Sequence, residues 1–204
     1  MLSYSGAAYR YLLGAVRDPD VAADLAQEFA VRFLRGDFRR ADPGRGRFRD
    51  YVKRALVHLV TDHHRARLAW GHPLPADVPA PADPDADRPF LESWRDELLA
   101  RSWAALADAH PSYYAALLLR VEEPDLSSAE MADRLGAGAD RPVTADGVRK
   151  AVERGHKKFA DLLLDEVARS LGDPTDADLE AELRELDLLQ YCRSALGRRA
   201  GCPT

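Results

Sequence analysis

A proline-rich stretch near the middle of the chain constrains its fold more than any other feature. Six prolines and four aspartates lie between Gly71 and Pro89, and the apolar residues there follow no regular spacing. Proline lacks a backbone N–H and fixes φ, so a regular helix or a central strand cannot continue through such a stretch. We therefore predict an acidic, semi-stiff linker over residues 71–89, with a separate module on each side of it.

Apolar residues on both sides of this linker recur at the three- and four-residue spacing of helices. The run from Phe48 to Val60 keeps that spacing without a break. The turn signal Asp18-Pro19 separates the first two helices, and Asp20 is the predicted N-cap of the second. Because nearly every other segment outside the linker also fits a helix, the predicted fold class is all-α.

The helical patterns divide the rest of the chain into three parts. Residues 1–70 are predicted to form a three-helix module, residues 90–172 a second helical module, and residues 173–204 an acidic helical extension. The extension carries an apolar stripe at helical spacing, formed by Leu179, Leu183, Leu186 and Leu189. We expect the extension to pack on the second module or to regulate it.

The net charge of −5 conceals an uneven distribution of charged residues. Residues 1–72 contain thirteen Lys and Arg against eight Asp and Glu, a balance of +5. Residues 73–100 contain two against seven, a balance of −5. Because local patches rather than the total charge meet phosphates, the basic N-terminal module remains a candidate for binding nucleic acid.

Several classes of protein are excluded by what the sequence lacks. No apolar run reaches the roughly 20 residues of a membrane-spanning helix, and the first residues do not have the pattern of a secretory signal. We therefore expect a cytoplasmic protein without a membrane partner. Cys192 and Cys202 fit neither a disulfide framework nor a common zinc spacing, and we interpret them as unpaired thiols near a frayed C-terminus.

The adjacent histidines His63 and His64 are the strongest candidates for metal or acid–base chemistry. Neighbouring side chains on a helix project about 100° apart, so the two rings cannot readily share one ion. An edge-of-core or DNA-facing position is the better interpretation. No phosphate-binding glycine loop or nucleophile motif is present either. We predict no metal, no cofactor and no catalytic residue, and therefore no enzyme.

The segment from Ser128 to Phe159 predicts a helix-turn-helix. A short helix with a serine cap and a capping-box glutamate ends at Gly136, and a longer helix capped by Thr144 follows. The first turns of the second helix of such a motif enter the major groove. The polar face of that helix presents Asp146, Arg149, Lys150, Arg154, Lys157 and Lys158. A solvated helix face explains these residues equally well, and the connection after Gly136 exceeds the usual turn of about three or four residues.

A second basic cluster lies between Phe38 and Arg67. Its cations are Arg39, Arg40, Arg45, Arg47, Arg49, Lys53, Arg54, Arg65 and Arg67. Cations that follow a backbone, together with aromatic faces on which bases stack, suit single-stranded or melted DNA. Phe48 and Tyr51 fall in the apolar stripe, which favours the core for both of them. Phe38, in the preceding loop, is the better candidate for stacking.

Three runs, in this order, resemble bacterial sigma factors of the extracytoplasmic-function (ECF) group. The run Asp18–Phe29 resembles the polymerase-binding helix of sigma domain two. The run Gly46–Arg65 is similar to the helix of that domain that recognises the −10 promoter element. Leu126–Gly136, followed by Val148–Phe159, resembles the helix-turn-helix of sigma domain four. An acidic, proline-containing linker between two such domains is also similar to the ECF group, and the resemblance covers about residues 1–170.

The resemblance implies a subunit that binds core RNA polymerase and promoter DNA, with residues 1–70 as sigma domain two and 90–172 as sigma domain four. An anti-sigma factor or another regulator is a further candidate partner. The implied polymerase contacts are Asp24, Gln27, Glu28 and Arg32. The implied −10 contacts are Phe38, Arg39, Arg45, Arg47, Arg49, Lys53, Arg54, His58 and Arg65. The implied −35 contacts are Thr144, Asp146, Arg149, Lys150, Arg154 and Lys157.

Two other classes of function stay open. A freestanding helix-turn-helix regulator would use its N-terminal module for dimerisation or effector binding, and would bind a palindromic duplex without polymerase. A sigma-like interaction module would bind a regulator and no DNA. The long turn, the paired histidines and the added residues 173–204 all depart from the commonest ECF pattern.

Overall fold

The computed structural model describes residues 5–35, 47–71, 88–137, 142–172 and 174–201. All regular secondary structure within these ranges is helical, which confirms the all-α fold class. The helices are α1 (Ser5–Val16), α2 (Pro19–Arg35), α3 (Phe48–Ala69), α4 (Arg88–Ala109), α5 (Pro111–Glu122), α6 (Ser128–Gly136), α7 (Ala145–Leu171), α8 (Asp176–Glu185) and α9 (Leu189–Ala200). None of these described helices has the length and apolarity that crossing a membrane requires.

The chain separates into two compact units. The first contains Met1–Glu97 with Ser170–Gly172, and the second contains Leu98–Arg169 with Asp173–Thr204. The first turns of α4 therefore belong to the first unit, although the sequence placed residues from 90 onward in the second module. Phe90 and Trp94 are both fully buried.

Aromatic side chains join the first turns of α4 to the core of the first unit. The ring of Phe90 meets Tyr11 edge-on at a centroid distance of 5.5 Å, and Trp94 lies 6.3 Å from Phe48. Arg10 supports this contact by donating to the carbonyl of Ser93 at 3.0 Å. Phe48 is half-buried, and its ring also packs against Phe33 at 6.0 Å, which places it at the edge of the core. Aromatic contacts of this kind explain why the boundary falls later than the linker suggested.

Both α2 and α4 start earlier than predicted, because each has a proline in its first turn, where proline is tolerated. Asp18, and not Asp20, caps α2, because its Oδ1 accepts from the backbone N–H of Asp20 at 3.0 Å and of Val21 at 3.2 Å. Pro19 then occupies the first helical position, where a missing N–H costs nothing. Pro89 likewise lies in the first turn of α4, so the last two residues of the predicted linker are helical.

Helices α6 and α7, the pair predicted to form a helix-turn-helix, share an apolar core in the second unit. Met131 and Ala132 of α6 and Val148 of α7 are buried together, and Leu119 of α5 packs against them. Ser127 forms the predicted capping box at the start of α6, accepting from Glu130 N at 3.3 Å while its own N–H donates to the Glu130 carboxylate at 2.8 Å. Local capping thus fixes the start of α6, and shared apolar burial holds α6 against α7.

The predicted helical extension consists of two helices, α8 and α9. The chain turns between α8 and α9 with Asp187 at φ 56°, and Leu188 takes the buried position expected of Leu189. Cys192 lies inside α9 and is fully buried, so the expectation of a thiol near a frayed end is wrong for this residue. Burial, with a smaller contribution from Asp161, raises the pKa of this thiol to about 11.

Candidate functional site

The outer face of α2 brings together the four residues expected to contact polymerase. Asp24, Gln27 and Glu28 are exposed, opposite the buried residues of the same helix. Arg32 is half-exposed and forms an ion pair with Glu28 one turn earlier. Residues three and four apart share a helix face, so the four side chains form one polar stripe.

Two exposed apolar residues, which the sequence analysis missed, extend this stripe. Val31 is 38% exposed and Leu34 is 79% exposed. They follow Gln27 by four and seven residues, and this spacing was the available signal that they share its face. Large exposed apolar side chains beside charged ones are typical of a protein-binding surface.

The candidate −10 residues divide into three groups. Phe38, Arg39 and Arg45 lie outside the described residues. Arg54, His58 and Arg65 are exposed on α3, at a spacing of four and seven that places them on one face, while Arg47 and Lys53 are half-exposed. An open groove of about 480 Å³ between α2 and α3 adjoins this face. Its lining consists of Arg32, Tyr51, Arg54, Ala55, His58, Leu59 and Asp62.

Arg49 corrects the sequence interpretation of this face. It was expected beside Lys53 and Arg54, but only 2% of its surface is exposed. Its position precedes Val52 by three residues, which turns it toward the buried side of α3. Its Nε lies 3.8 Å from the carboxylate of Asp50. A guanidinium held in this way is part of the structure of the first unit and is not available to DNA.

Trp70 is an exposed aromatic residue that the sequence analysis did not single out. It ends α3, where its N–H donates to the carbonyls of Ala66 and Arg67, and its side chain is 83% exposed. It follows Arg65 and Arg67 in the chain, so it combines a stacking surface with nearby cations. Such a combination suits unpaired bases.

His64 occupies the edge of the core, which is one of the two positions predicted for it. It is buried, and within the described part of the chain neither ring nitrogen has a hydrogen-bond partner. Burial lowers the pKa of His64, and the positive charges of His63 and Arg67 lower it further. Among the residues that the structure describes, no group of three or more His, Cys, Asp or Glu is arranged to hold a metal.

The first turns of α7 carry cations that are held by carboxylates. Thr144 is the N-cap, as predicted, since its Oγ1 accepts from Gly147 N at 3.1 Å. Asp146 pairs with Lys150 at 2.8 Å and with Arg149 at 3.3 Å. Hydrogen bonds from Lys150, and then from Arg149, lower the pKa of Asp146. These side chains are all exposed.

The next turn of α7 repeats this arrangement. Lys157 donates to the carboxylate of Glu153 at 2.7 Å, and this hydrogen bond lowers the pKa of Glu153. Arg154 and Lys158 are exposed beside this pair. The six polar residues predicted for this face are therefore together on one side of α7, away from Val148.

Comparison with known proteins gives a family match for part of the first unit. Residues 1–69 match the family model for sigma-70 region 2. This segment is 69 of the 204 residues and contains α1, α2 and α3. Neither the curated proteins nor the solved structures gave a significant match. The match supports a sigma-factor relationship for these three helices and indicates a role in transcription initiation.

Proposed function

We propose that the chain is an alternative sigma factor of the ECF type, which binds core RNA polymerase and directs promoter recognition and opening. The sigma-70 region 2 match over residues 1–69 carries this proposal. The proposed role is non-catalytic: the protein supplies surfaces that position polymerase on DNA. Each surface has a distinct chemistry, which suggests how the work is divided.

The outer stripe of α2 is the proposed polymerase-binding surface. Asp24, Gln27 and Glu28 offer acceptors and an amide at a protein interface, while Arg32 restrains Glu28 through its ion pair. Val31 and Leu34 supply apolar area on the same stripe. Apolar side chains at the centre of an interface, with charges around them, combine affinity with specificity.

The polar face of α3 is the proposed site for the −10 element. Arg54, His58 and Arg65 are exposed there, with Arg47 and Lys53 at its border. Together with Phe38, Arg39 and Arg45, these cations provide an electrostatic track for a strand that has left the duplex. Arg49 has no part in this proposal because it is buried.

The first turns of α7 are the proposed site for the −35 element. Thr144 fixes the start of the helix, and Arg149 and Lys150 project from its first two turns. Asp146, Arg154 and Lys157 complete the surface. To bind DNA, Arg149 and Lys150 must break their ion pairs with Asp146 and form contacts with base edges or phosphates instead. This cost lowers the net binding free energy for any duplex of the wrong sequence.

A sigma-like interaction module that binds no DNA is the second candidate. The observation in its favour is that Asp146 and Glu153 already pair with three cations of α7. Such a module would use this face of α7, with its mixed acidic and basic side chains, to bind a protein. It predicts association with a regulator and no affinity for promoter DNA in complex with polymerase.

Size-exclusion chromatography with bacterial core RNA polymerase tests the proposal. We expect the wild-type chain to co-elute with the core enzyme and the Asp24→Arg/Glu28→Arg variant to be lost from the complex, because two reversed charges oppose the same interface. Glu92→Arg/Asp96→Arg is the control, with an equal change in charge on α4 of the same unit. Absence of wild-type co-elution, or equal loss in both variants, would contradict the proposed polymerase surface.

A further inference from the structure

The last helix of the extension places an arginine, Arg198, beside the polar face of α7. Lys150, Arg154, Lys157 and Asp161 follow one another at steps of four, three and four residues, so they share one face of the helix. Arg198 of α9 forms an ion pair with Asp161. Arg199 follows it and is exposed. The extension thus adds cations where the stripe on α7 ends.

Apolar packing, and not the ion pair alone, fixes α9 at this position. Leu188, Cys192 and Ala195 are buried at 2% exposure or less. The Sγ of Cys192 lies 4.0 Å from the carbonyl oxygen of Ala160, the residue next to Asp161. Because these buried residues fix the position of α9, Arg198 stays beside Asp161 while 46% of its side chain is exposed. Its place beside α7 is therefore built into the fold.

The ion pair changes the electrostatics of this part of the surface. Alone, Asp161 would end the basic stripe of α7 with a negative charge. Arg198 offsets that charge, and Lys157 and Lys158 lie one turn earlier, about 5 Å along the helix. The resulting surface, which we name the tail-side basic patch, consists of Arg154, Lys157, Lys158 and Arg198, with the exposed Arg199 next to Arg198 in the chain. Its acids are Glu153, Asp161 and Asp165. It has an excess of positive charge and attracts anions.

We propose that α9 extends the DNA-binding surface of the second unit, with Arg198 and Arg199 contacting backbone phosphates of duplex DNA. This inference rests on the proposed function of α7 in binding the −35 element. Asp161 lies 16 residues beyond the first residue of α7, or about 24 Å along the helix. The major groove is only about 12 Å wide and 8.5 Å deep, so side chains this far along the helix reach phosphates and not base edges.

An acidic protein surface could also pair with these arginines, but the position of the patch favours DNA. The patch is continuous with Lys150 and Arg154 on the face of α7 that is proposed to enter the groove. Lys and Arg outside a recognition surface usually meet the phosphates that flank the site. The extension would then raise affinity for any duplex without changing which sequence is preferred.

Fluorescence anisotropy with the full-length chain and an arbitrary duplex of about 30 base pairs tests this inference. For Arg198→Ala/Arg199→Ala we expect about tenfold weaker binding near 0.1 M KCl, and a slope of log affinity against log salt reduced by about 1.8, at about 0.9 for each lost phosphate contact. Arg184→Ala/Arg193→Ala is the control, because it removes the same charge from the groove between α8 and α9. This control should change the affinity and slope little.

Two further variants protect the result from trivial explanations. Arg198→Lys/Arg199→Lys keeps the charge and should retain most of the affinity for DNA. If the alanine variant bound weakly only because it was misfolded, this conservative variant would show that the charge is not the cause. Asp161→Asn removes the carboxylate that engages Arg198 and should bind the duplex more tightly than wild type. Circular dichroism melting of each variant verifies that the second unit remains folded.

The outcomes separate this inference from the proposed function on which it rests. If Lys150→Ala/Arg154→Ala weakens binding while the Arg198/Arg199 variant matches its control, α7 binds DNA and the extension does not. If neither changes the affinity, or if wild type does not bind at about 50 mM KCl, both proposals fail. Loss of co-elution with core polymerase, without loss of DNA binding, would assign the two arginines to a protein contact and overturn the inference.

Discussion

Two buried ionisable side chains, His64 in the first unit and Glu166 in the second, differ in whether a charged partner lies beside them. In the first unit, His64 of α3 is buried, and neither ring nitrogen is hydrogen-bonded within the described residues. In the second unit, the buried carboxylate of Glu166 on α7 lies 2.9 Å from Arg101 and 2.7 Å from Arg169. A buried polar group without a partner costs stability, whereas removing one partner of a buried ion pair leaves a charge behind. Truncation should therefore have opposite effects in the two units.

The difference concerns the two helices that carry the proposed DNA contacts. The Glu166 contacts anchor α7 in the second unit well beyond its first turns, so the exposed cations of that helix project from a fixed support. His64, in contrast, lies five residues before the end of α3, and its buried ring without a hydrogen-bond partner among the described residues weakens this part of the helix. Departures from local consistency often lie near functional surfaces. We expect α3 to unfold locally more readily than α7.

The largest effect on stability is expected at the ion pair of the second unit. Arg101→Ala leaves the buried Glu166 with its ion pair to Arg169, whose side chain is mostly exposed. We expect a loss of about 2 kcal/mol, below the 3–5 kcal/mol typical of a fully buried pair because both arginines are in part solvated. Thermal unfolding measures it, with Arg95→Ala, a half-buried arginine of the same helix, as the control. An unchanged melting temperature would show that the pair does not anchor α7.

A smaller effect of opposite sign is expected for His64→Leu. Replacing an unpartnered buried ring with an apolar side chain should raise the stability of the first unit by about 1 kcal/mol. Because the pKa of His64 is lowered in the folded state, that state binds fewer protons than the unfolded chain. Wild type should therefore lose stability as the pH falls below the ordinary value of 6.5, and the gap to His64→Leu should widen.

Melting curves at about pH 7.5 and pH 5.5 test both parts of this prediction. His58→Leu is the control, since His58 is exposed on the same helix and should bring no such gain. A variant that is less stable than wild type at both pH values would mean that the imidazole contributes packing or a hydrogen bond that Leu cannot replace. The contrast between the two units would then disappear.

Local signals in the sequence were sufficient for much of the fold. The capping box of Ser127 and Glu130 and the cap of α7 by Thr144 were predictable because they involve residues three apart in the chain. Helical spacing also predicted the inward packing of Phe48, which is half-buried against Phe33. Spacing also placed Asp24 and Glu28 on one face, since the geometry of a single helix is fixed by the backbone alone.

Contacts between distant segments were not predictable in the same way. Two aspartates flank Pro19, and only the path of the chain decides that Asp18 is the cap. Phe90 and Trp94 join the first unit through rings far away in sequence. The burial of Arg49 depends on which side of the α3 N-terminus packs against other helices. Its residue type did not indicate this burial, because a charged side chain is normally expected to be exposed. The missed residue Leu34 had the right spacing but no charge to draw attention to it.

Footprinting of the holoenzyme on the DNA that it selects tests the central claim most directly. Genomic fragments that the chain with core polymerase retains against an excess of nonspecific competitor DNA, but that neither component retains under the same conditions, are probed with permanganate for unpaired thymines. We predict a two-block sequence with opening confined to the downstream block. Arg54→Ala/His58→Ala should lose the opening, and Arg149→Ala should lose only the upstream block, at a cost of about 1–3 kcal/mol if its contact is bidentate to a base. Selection of a palindrome by the chain alone, without opening, would contradict the account and favour a freestanding regulator.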